Sequence, residues 1–296
     1  IERAGVHSGD SIAVYPPRSL SPHIIKTIVD FTNKLALGLE VHGMINIQYI
    51  VRDEKLYVIE VNPRSSRTVP FISKVTGVSM VDVATKCAMG VSIVDQGLRP
   101  GLRHFPDYYA VKAPVFSFNK MTDVDISLGP EMKSTGEVMA IDYQFPRALY
   151  KAFVAAGTNI PEEGTILFTI ADMDKPEAAS IAQGLSELGY EIKATSGTAA
   201  FLRSKNVKVT EAKKVTDGEH DLLDDIKEGN IGMVINTLTH GGDVARDGFK
   251  IRRSTVEHAI PCLTSMDTAN ALQHVMTAMK GRRIVSIVAL QDLDWE

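Results

Sequence analysis

The stretch INIQYIVRDEKLYVIEVN, residues 45–62, decides how the first half of the chain folds. Two runs of alternating apolar and polar residues flank the polar segment RDEK, which is the pattern of a β-hairpin with one buried face. In the first run Ile45, Ile47 and Tyr49 share one face, and Asn46 and Gln48 share the other. In the second, Tyr57, Ile59 and Val61 share a face opposite Glu60 and Asn62. Burying the apolar residues together places Gln48 beside Glu60, because a slip of one residue would carry charge into the core. Unbroken strands in that register predict an odd-numbered loop of three or five residues rather than a two-residue turn. The polar face then presents Gln48, Glu60 and Asn62 as neighbouring oxygen donors. Carboxylate and amide oxygens suit a hard cation such as Mg²⁺, whose remaining positions are filled by substrate phosphates and water.

The next residues, NPRSSRTVPF (62–71), add Arg64 and Arg67, whose forked guanidiniums match phosphoryl groups and carboxylates. An isolated Glu-x-Asn is more often the solvated face of an edge strand. The amide on the partner strand and the two arginines turn the weight toward a site. Near the start, AGVHSGDS (4–11) reads either as a surface loop or as a turn whose backbone, around Gly5 to Ser8, lines a nucleotide cleft.

Composition narrows the class. With 44% hydrophobic and 23% charged residues in 296, the chain has ample material for about two globular domains. A net charge of −4 argues against a general nucleic-acid binder. Cys87 and Cys262 make no metal-type pair and no apolar run approaches a membrane span, so a reducing cytoplasm and no signal peptide are expected. The chain begins at Ile1 in what reads as continuing structure, and a larger parent protein is expected.

Ser21-Pro22 starts a helix that carries Ile25, Ile28, Val29 and Leu35 and ends near Gly38. A second helix is predicted over 79–89, strand-like runs at YYAVKAPVF (108–116), and a helical pattern at FPRALYKAFVAAG (145–157). The style changes at Pro161–Gly164. TILFTIA, a helix near 175–188, YEIKA, GTAAFLR, VKVTE, a helix near 221–228, IGMVINT, a helix near 267–280 and RIVSIVAL come next. That alternation predicts a small parallel sheet with helices on both faces. A boundary falls near 158–163, giving domains 1–160 and 161–296.

VHSGDS, INIQYIV, LYVIEVNPRSSRTVPFISKVTGV and SLGPEMKSTGEVM, in that order, resemble the carbamoyl phosphate synthetase large subunits, in the end of their second ATP-grasp unit. The residues after about 160 resemble the methylglyoxal-synthase-like regulatory domain at the end of those subunits. The resemblance implies an α/β protein. An α+β ATP-grasp C-terminal portion with antiparallel strands precedes a Rossmann-like parallel α/β domain. It implies Gln48, Glu60 and Asn62 as ligands of Mg²⁺ or Mn²⁺, with ATP beside Gln48, Glu60 and Gly5, Val6, His7 and Ser8. Arg64 and Arg67 would face the phosphates as catalytic residues. The implied reaction is ATP-dependent phosphorylation of carbamate by a glutamine-hydrolysing ligase serving pyrimidine or arginine biosynthesis. K⁺ is a further candidate cofactor. Partners would be the small glutaminase subunit and the N-terminal remainder of the large subunit, with a homo-oligomer also open. The chain by itself is expected to be inactive.

In the second domain the turn Thr195–Thr198 and the strand-to-loop segment 233–242 lie where parallel sheets bind ligands. The resemblance implies Lys175, Thr195, Thr198, Lys214, Asn236 and Thr237 as positions for a UMP- or IMP-type effector. Lys213 and Lys214 could exchange roles. Arg246, Arg252 and Arg253 leave a PRPP-type effector open. Relatives that answer to ornithine carry an acidic residue and a tyrosine where Ala113 and Cys262 stand, so ornithine is not expected to activate. Three other readings compete: a regulatory or oligomerisation module with a vestigial catalytic face, a biotin-carboxylase-type ligase, and a methylglyoxal synthase. For the last, no catalytic aspartate is identifiable in the sequence.

Overall fold

The computed structural model describes residues 1–121, 124–212, 221–238, 247–281 and 287–292. The described elements of the first half are β1 (Ala13–Tyr15), α1 (Pro22–Gly38), β2 (Asn46–Arg52), β3 (Lys55–Asn62), α2 (Thr68–Thr76), α3 (Met80–Ala88), β4 (Tyr109–Val115), β5 (Gly136–Asp142) and α4 (Phe145–Ala155). The second half contributes β6 (Thr165–Thr169), α5 (Lys175–Glu187), β7 (Glu191–Ala194), α6 (Ser196–Ser204) and β8 (Thr210–Glu211). It continues through α7 (Leu222–Lys227), β9 (Met233–Asn236), α8 (Asp247–Glu257), β10 (Cys262–Leu263) and α9 (Met266–Met279). β1, β4 and β5 form one sheet in that order, β2 and β3 an antiparallel pair, and β10-β9-β6-β7-β8 a third sheet. The expected mixed architecture, antiparallel ahead of parallel, is present.

Two compact units result. One comprises Ile1–Ala13 with Val111–Ser286, the other Val14–Ala110 with Ile287–Glu296. This division by compactness differs from one drawn at residue 160, because the segment 111–160 packs with the parallel sheet and its helices. α4 lies against α9. Arg252 on α8 binds Asp125 through Nε and Nη2, at 2.8 and 2.6 Å. Arg253 donates to the Met121 carbonyl at 2.6 Å. The N-terminal residues join the same unit: Arg3 pairs with Glu177 and Asp267, and Thr268 donates to Glu2.

The five-stranded sheet is parallel throughout its described pairs. Its central strand is apolar on both sides because both faces are covered. Leu167 and Val234 point to a core with Leu222, Ile226 and Ile251 from α7 and α8. By alternation Ile166, Phe168, Met233 and Ile235 point the other way, and all four are buried. α5 and α9 pack on each other and bury Ile181, Leu185, Leu272 and Val275. RIVSIVAL (283–290) lies partly outside the described residues, and its residues 287–289 are not in a strand.

The other unit begins as its sequence suggests. Ser21 caps α1 by accepting from the Ile24 amide at 3.3 Å, with Pro22 as the first helical residue. The hairpin departs from expectation in its turn. Arg52 pairs with Lys55, leaving only Asp53 and Glu54, both with positive φ (51° and 55°), as in the two-residue turns whose twist matches the strands. Gln48 nevertheless pairs with Glu60, because the register shifts between Gln48 and Tyr49 and Ile59 is left over as a β-bulge. The extra residue does in the strand what an odd-numbered loop would have done at the turn. It also redistributes the faces: Val58 pairs with Tyr49, and Tyr57 pairs with Ile50, on the side of Gln48 rather than with Val61.

Phe168 is fully buried at the centre of the parallel sheet. Phe168→Ala is expected to destabilise this unit by about 3–5 kcal/mol, read as a lower urea midpoint at unchanged slope.

Candidate functional site

Two places gather the residues singled out from the sequence. On β2 and β3 the register sets Gln48 opposite Glu60 and Asn46 opposite Asn62. Gln48 Nε2 donates to Glu60 Oε1 at 2.7 Å, and Asn62 Nδ2 donates to the same oxygen at 2.9 Å. Three side chains therefore converge on one point on an exposed strand face. Half a turn of each terminal amide exchanges its nitrogen for its oxygen, which would present two amide oxygens beside the carboxylate. Neighbouring ligands around Mg²⁺, at about 2.1 Å from the ion, stand roughly 3 Å apart, and these polar atoms already have that spacing. The donor set thus fits a hard cation that keeps part of its shell for phosphate. Among the described residues no group of three His, Cys, Asp or Glu could hold a metal ion.

The chain leaves β3 directly into Arg64 and Arg67. The Arg64 amide donates to the Asn62 carbonyl at 2.8 Å, and Arg64 Nη1 to the Ser65 carbonyl at 2.9 Å. Arg67 is the N-cap of α2. In the first turn of α2 the Val69 amide donates to the Ser66 carbonyl at 3.1 Å and Pro70 has no N–H, so what this helix start offers an anion is chiefly its dipole. The sequence reading did not foresee α2. Val69, Phe71, Ile72 and Val75 recur at helical spacing, and Gly77 closes the helix at φ 65°. The signal was masked by Pro70. At the third helical position, however, a proline loses no intrahelical hydrogen bond. Gln48, Glu60, Asn62, Arg64 and Arg67 are brought together in one unit.

Gly5, Val6, His7 and Ser8 belong to the other unit. The His7 amide donates to the Gly129 carbonyl at 2.8 Å, and His7 Nδ1 accepts from the Gly9 amide at 3.0 Å. Gly5 has φ 116°, which a side chain would strain. The turn is anchored by Asp10, fully buried, whose Oδ2 accepts from the Lys133 amide (2.8 Å) and Oδ1 from the Ser134 amide (2.9 Å). Asp10 was not among the residues expected to matter. Partners 123 and 124 residues away explain its burial.

The second place is the carboxyl edge of the parallel sheet. The Thr198 hydroxyl accepts from the Ile170 amide at 3.2 Å, and the Thr237 hydroxyl from the Ala171 amide at 2.9 Å. Both threonines therefore pin the end of β6 as well as facing the strand ends. Thr195 is the N-cap of α6, with no side-chain cap hydrogen bond. Lys175 is largely buried and pairs with the exposed Asp172 at 2.6 Å. A Cβ on Gly197 would lie 3.4 Å from the Lys175 ammonium, so that cation sits over the first turn of α6. The Asp172 carboxylate offsets the repulsion between that cation and the positive end of the α6 dipole. Asn236, 1% exposed, accepts from Arg252 Nη1 at 2.7 Å through Oδ1, while its Nδ2 has no partner among the described residues. Lys213, Lys214 and Arg246 lie outside the described residues.

A cavity of about 230 Å³ in the same unit is lined by Ala113, Cys262, Phe116, Phe153, Glu2 and Asp10 among others. Glu2 accepts from the Ile12 amide (2.7 Å) and the Thr268 hydroxyl (2.8 Å), so both carboxylates are already engaged by the protein. Burial pushes the Cys262 thiol up to about 12, leaving it neutral at physiological pH.

Residues 2–95 match the family described as carbamoyl-phosphate synthase L chain, ATP binding domain, and residues 177–264 match the MGS-like domain. Among solved structures, the biotin carboxylase domain of a single-chain bacterial carboxylase aligns at 16% identity with a TM-score of 0.40. The alignment covers 49% of this chain and 39% of that one. An ATP-binding segment similar to that of the synthase L chain thus lies ahead of an MGS-like segment on a single chain, the order that fits the C-terminal part of a carbamoyl-phosphate synthase large subunit.

Proposed function

We propose that residues 1–160 belong to the unit that phosphorylates carbamate with ATP, giving carbamoyl phosphate and ADP, and that 161–296 bind a regulatory nucleotide. The observation that carries the first half is the convergence of Gln48 and Asn62 on the Glu60 carboxylate, directly ahead of Arg64, Arg67 and the start of α2. Bound between Glu60, Gln48 and Asn62, Mg²⁺ or Mn²⁺ would neutralise charge on the ATP phosphates. Arg64 and Arg67 stabilise the transferring phosphoryl group as a carbamate oxygen attacks the γ-phosphorus and the bond to the ADP oxygen breaks. The main chain at Gly5 to Ser8 contacts the nucleotide. Reaction of this kind needs water kept out, whereas the Gln48–Glu60 contact is exposed.

Tyr57, Val58 and Ile59, 42–54% exposed beside the metal face, offer an apolar surface for the N-terminal remainder of the large subunit. In the complete enzyme a glutaminase subunit supplies ammonia, K⁺ assists, and the product feeds pyrimidine or arginine synthesis in the cytoplasm. At the sheet edge, Lys175 over the first turn of α6 and the orphan Nδ2 of Asn236 favour the phosphate of a UMP- or IMP-type effector.

Glu60→Gln in the intact large chain is expected to lower ATP-dependent carbamoyl phosphate formation by about 10²-fold or more and to weaken Mn²⁺ binding seen by electron paramagnetic resonance. Unchanged rates and binding would refute the assignment. The 296-residue chain alone should form no carbamoyl phosphate. Because Ala113 and Cys262 line a mainly apolar cavity whose two carboxylates are engaged, calorimetry on the intact chain should show no saturable ornithine binding at concentrations on the order of 1 mM.

A further inference from the structure

Arg252 lies on α8, is 5% exposed, and divides its guanidinium between two segments far apart in the chain. Nη1 holds Asn236 Oδ1 at 2.7 Å, at the end of β9 in the effector pocket. Nε and Nη2 hold both oxygens of Asp125 at 2.8 and 2.6 Å. An arginine can only donate, so the Asn236 amide must turn its oxygen to Arg252 and its nitrogen away. That nitrogen is buried and has no partner among the described residues. A ligand oxygen that accepts from Nδ2 therefore fixes the same amide on which Arg252 is anchored.

From Asp125 the contacts run on without a gap. Its Oδ1 also accepts from the Ser127 amide at 3.0 Å. The Asp125 and Ser127 carbonyls take the Lys133 ammonium at 2.9 and 2.7 Å. The Lys133 and Ser134 amides hold buried Asp10, and the Gly129 carbonyl takes the His7 amide. The loop between Asp125 and Ser134 is thus gripped at one end by the effector pocket, while its other end shapes the 5–10 turn. Arg253 adds a second hold, on the Phe118 and Met121 carbonyls. Burial disfavours the charge on Asp125, but hydrogen bonds from Arg252 and Ser127 and the guanidinium charge hold the carboxyl below its usual range. The Asp125 carboxylate therefore stays ionised throughout the physiological range.

We propose that Arg252 and Asp125 form a polar relay through which an oxyanion ligand at Asn236 sets the geometry of the Gly5–Asp10 turn. The relay rests on the effector reading of the sheet edge. UMP is the probe, applied to the intact large chain with amide hydrogen exchange as the readout. In the parent protein UMP should slow exchange at the Ser127, Lys133, Ser134 and His7 amides, and shift ATP affinity by about 5-fold to 100-fold. Asp125→Asn should bind UMP within about 3-fold of the parent, since a surrogate amide leaves Asn236 and Lys175 in place, yet lose the protection and reduce the ATP shift to about 2-fold or less.

Arg252→Lys keeps the charge, forfeits the fork, and should behave the same way if Asp125→Asn folds poorly. A purely structural contact would lower the melting temperature and leave the UMP-dependent protection and ATP shift intact. That result would overturn the relay while the effector reading stood. Absence of UMP, IMP and PRPP binding by the parent chain would remove the effector reading and the relay with it.

Discussion

A guanidinium taken out of water must be answered on every side, and Arg252 is answered by residues that only this fold could bring to it. Its fork spans 16 residues of chain to Asn236 and 127 to Asp125. Removing either partner would leave the buried guanidinium with an unanswered charge or donor, which is costly. The packing of α8, the Asp125–Ser134 loop and the end of β9 is therefore a single arrangement. A related condition holds at Asp10, whose buried carboxylate is tolerable because the Lys133 and Ser134 amides point at it.

The hairpin meets a different constraint. A two-residue turn with positive φ at both positions suits the right-handed twist of the strands. It would pair the wrong residues if the strands ran evenly. The bulge at Ile59 absorbs the mismatch, so the turn keeps its favoured geometry and Glu60 still meets Gln48. Bulges commonly re-aim side chains next to sites, and here the re-aiming sets one carboxylate between two amides.

At the sheet edge the threonines proposed for recognition also have a structural task. Thr198 and Thr237 hold the Ile170 and Ala171 amides, which stiffens the loop after β6. A stiff edge lets Lys175, the α6 terminus and Asn236 present charge and donors without reorganising. The residue types there were legible in the sequence, but their convergence was not.

What the sequence by itself determined are the properties that depend on neighbours along the chain. The alternation in 45–62 made a hairpin with Gln48 against Glu60, Ser21-Pro22 began α1, and the apolar runs after Gly164 made strands buried on both faces. These come from steric periodicity and capping, which act over a few residues. Tertiary structure decided where the hairpin took up its odd residue, that Pro70 sits inside a helical first turn, and that residues 111–160 pack with the parallel sheet. It also decided that Asn236, Arg252, Asp125, Lys133 and Asp10 form one line. A buried charge is stabilised by whatever packs beside it, and no spacing in the sequence encodes a contact across 127 residues.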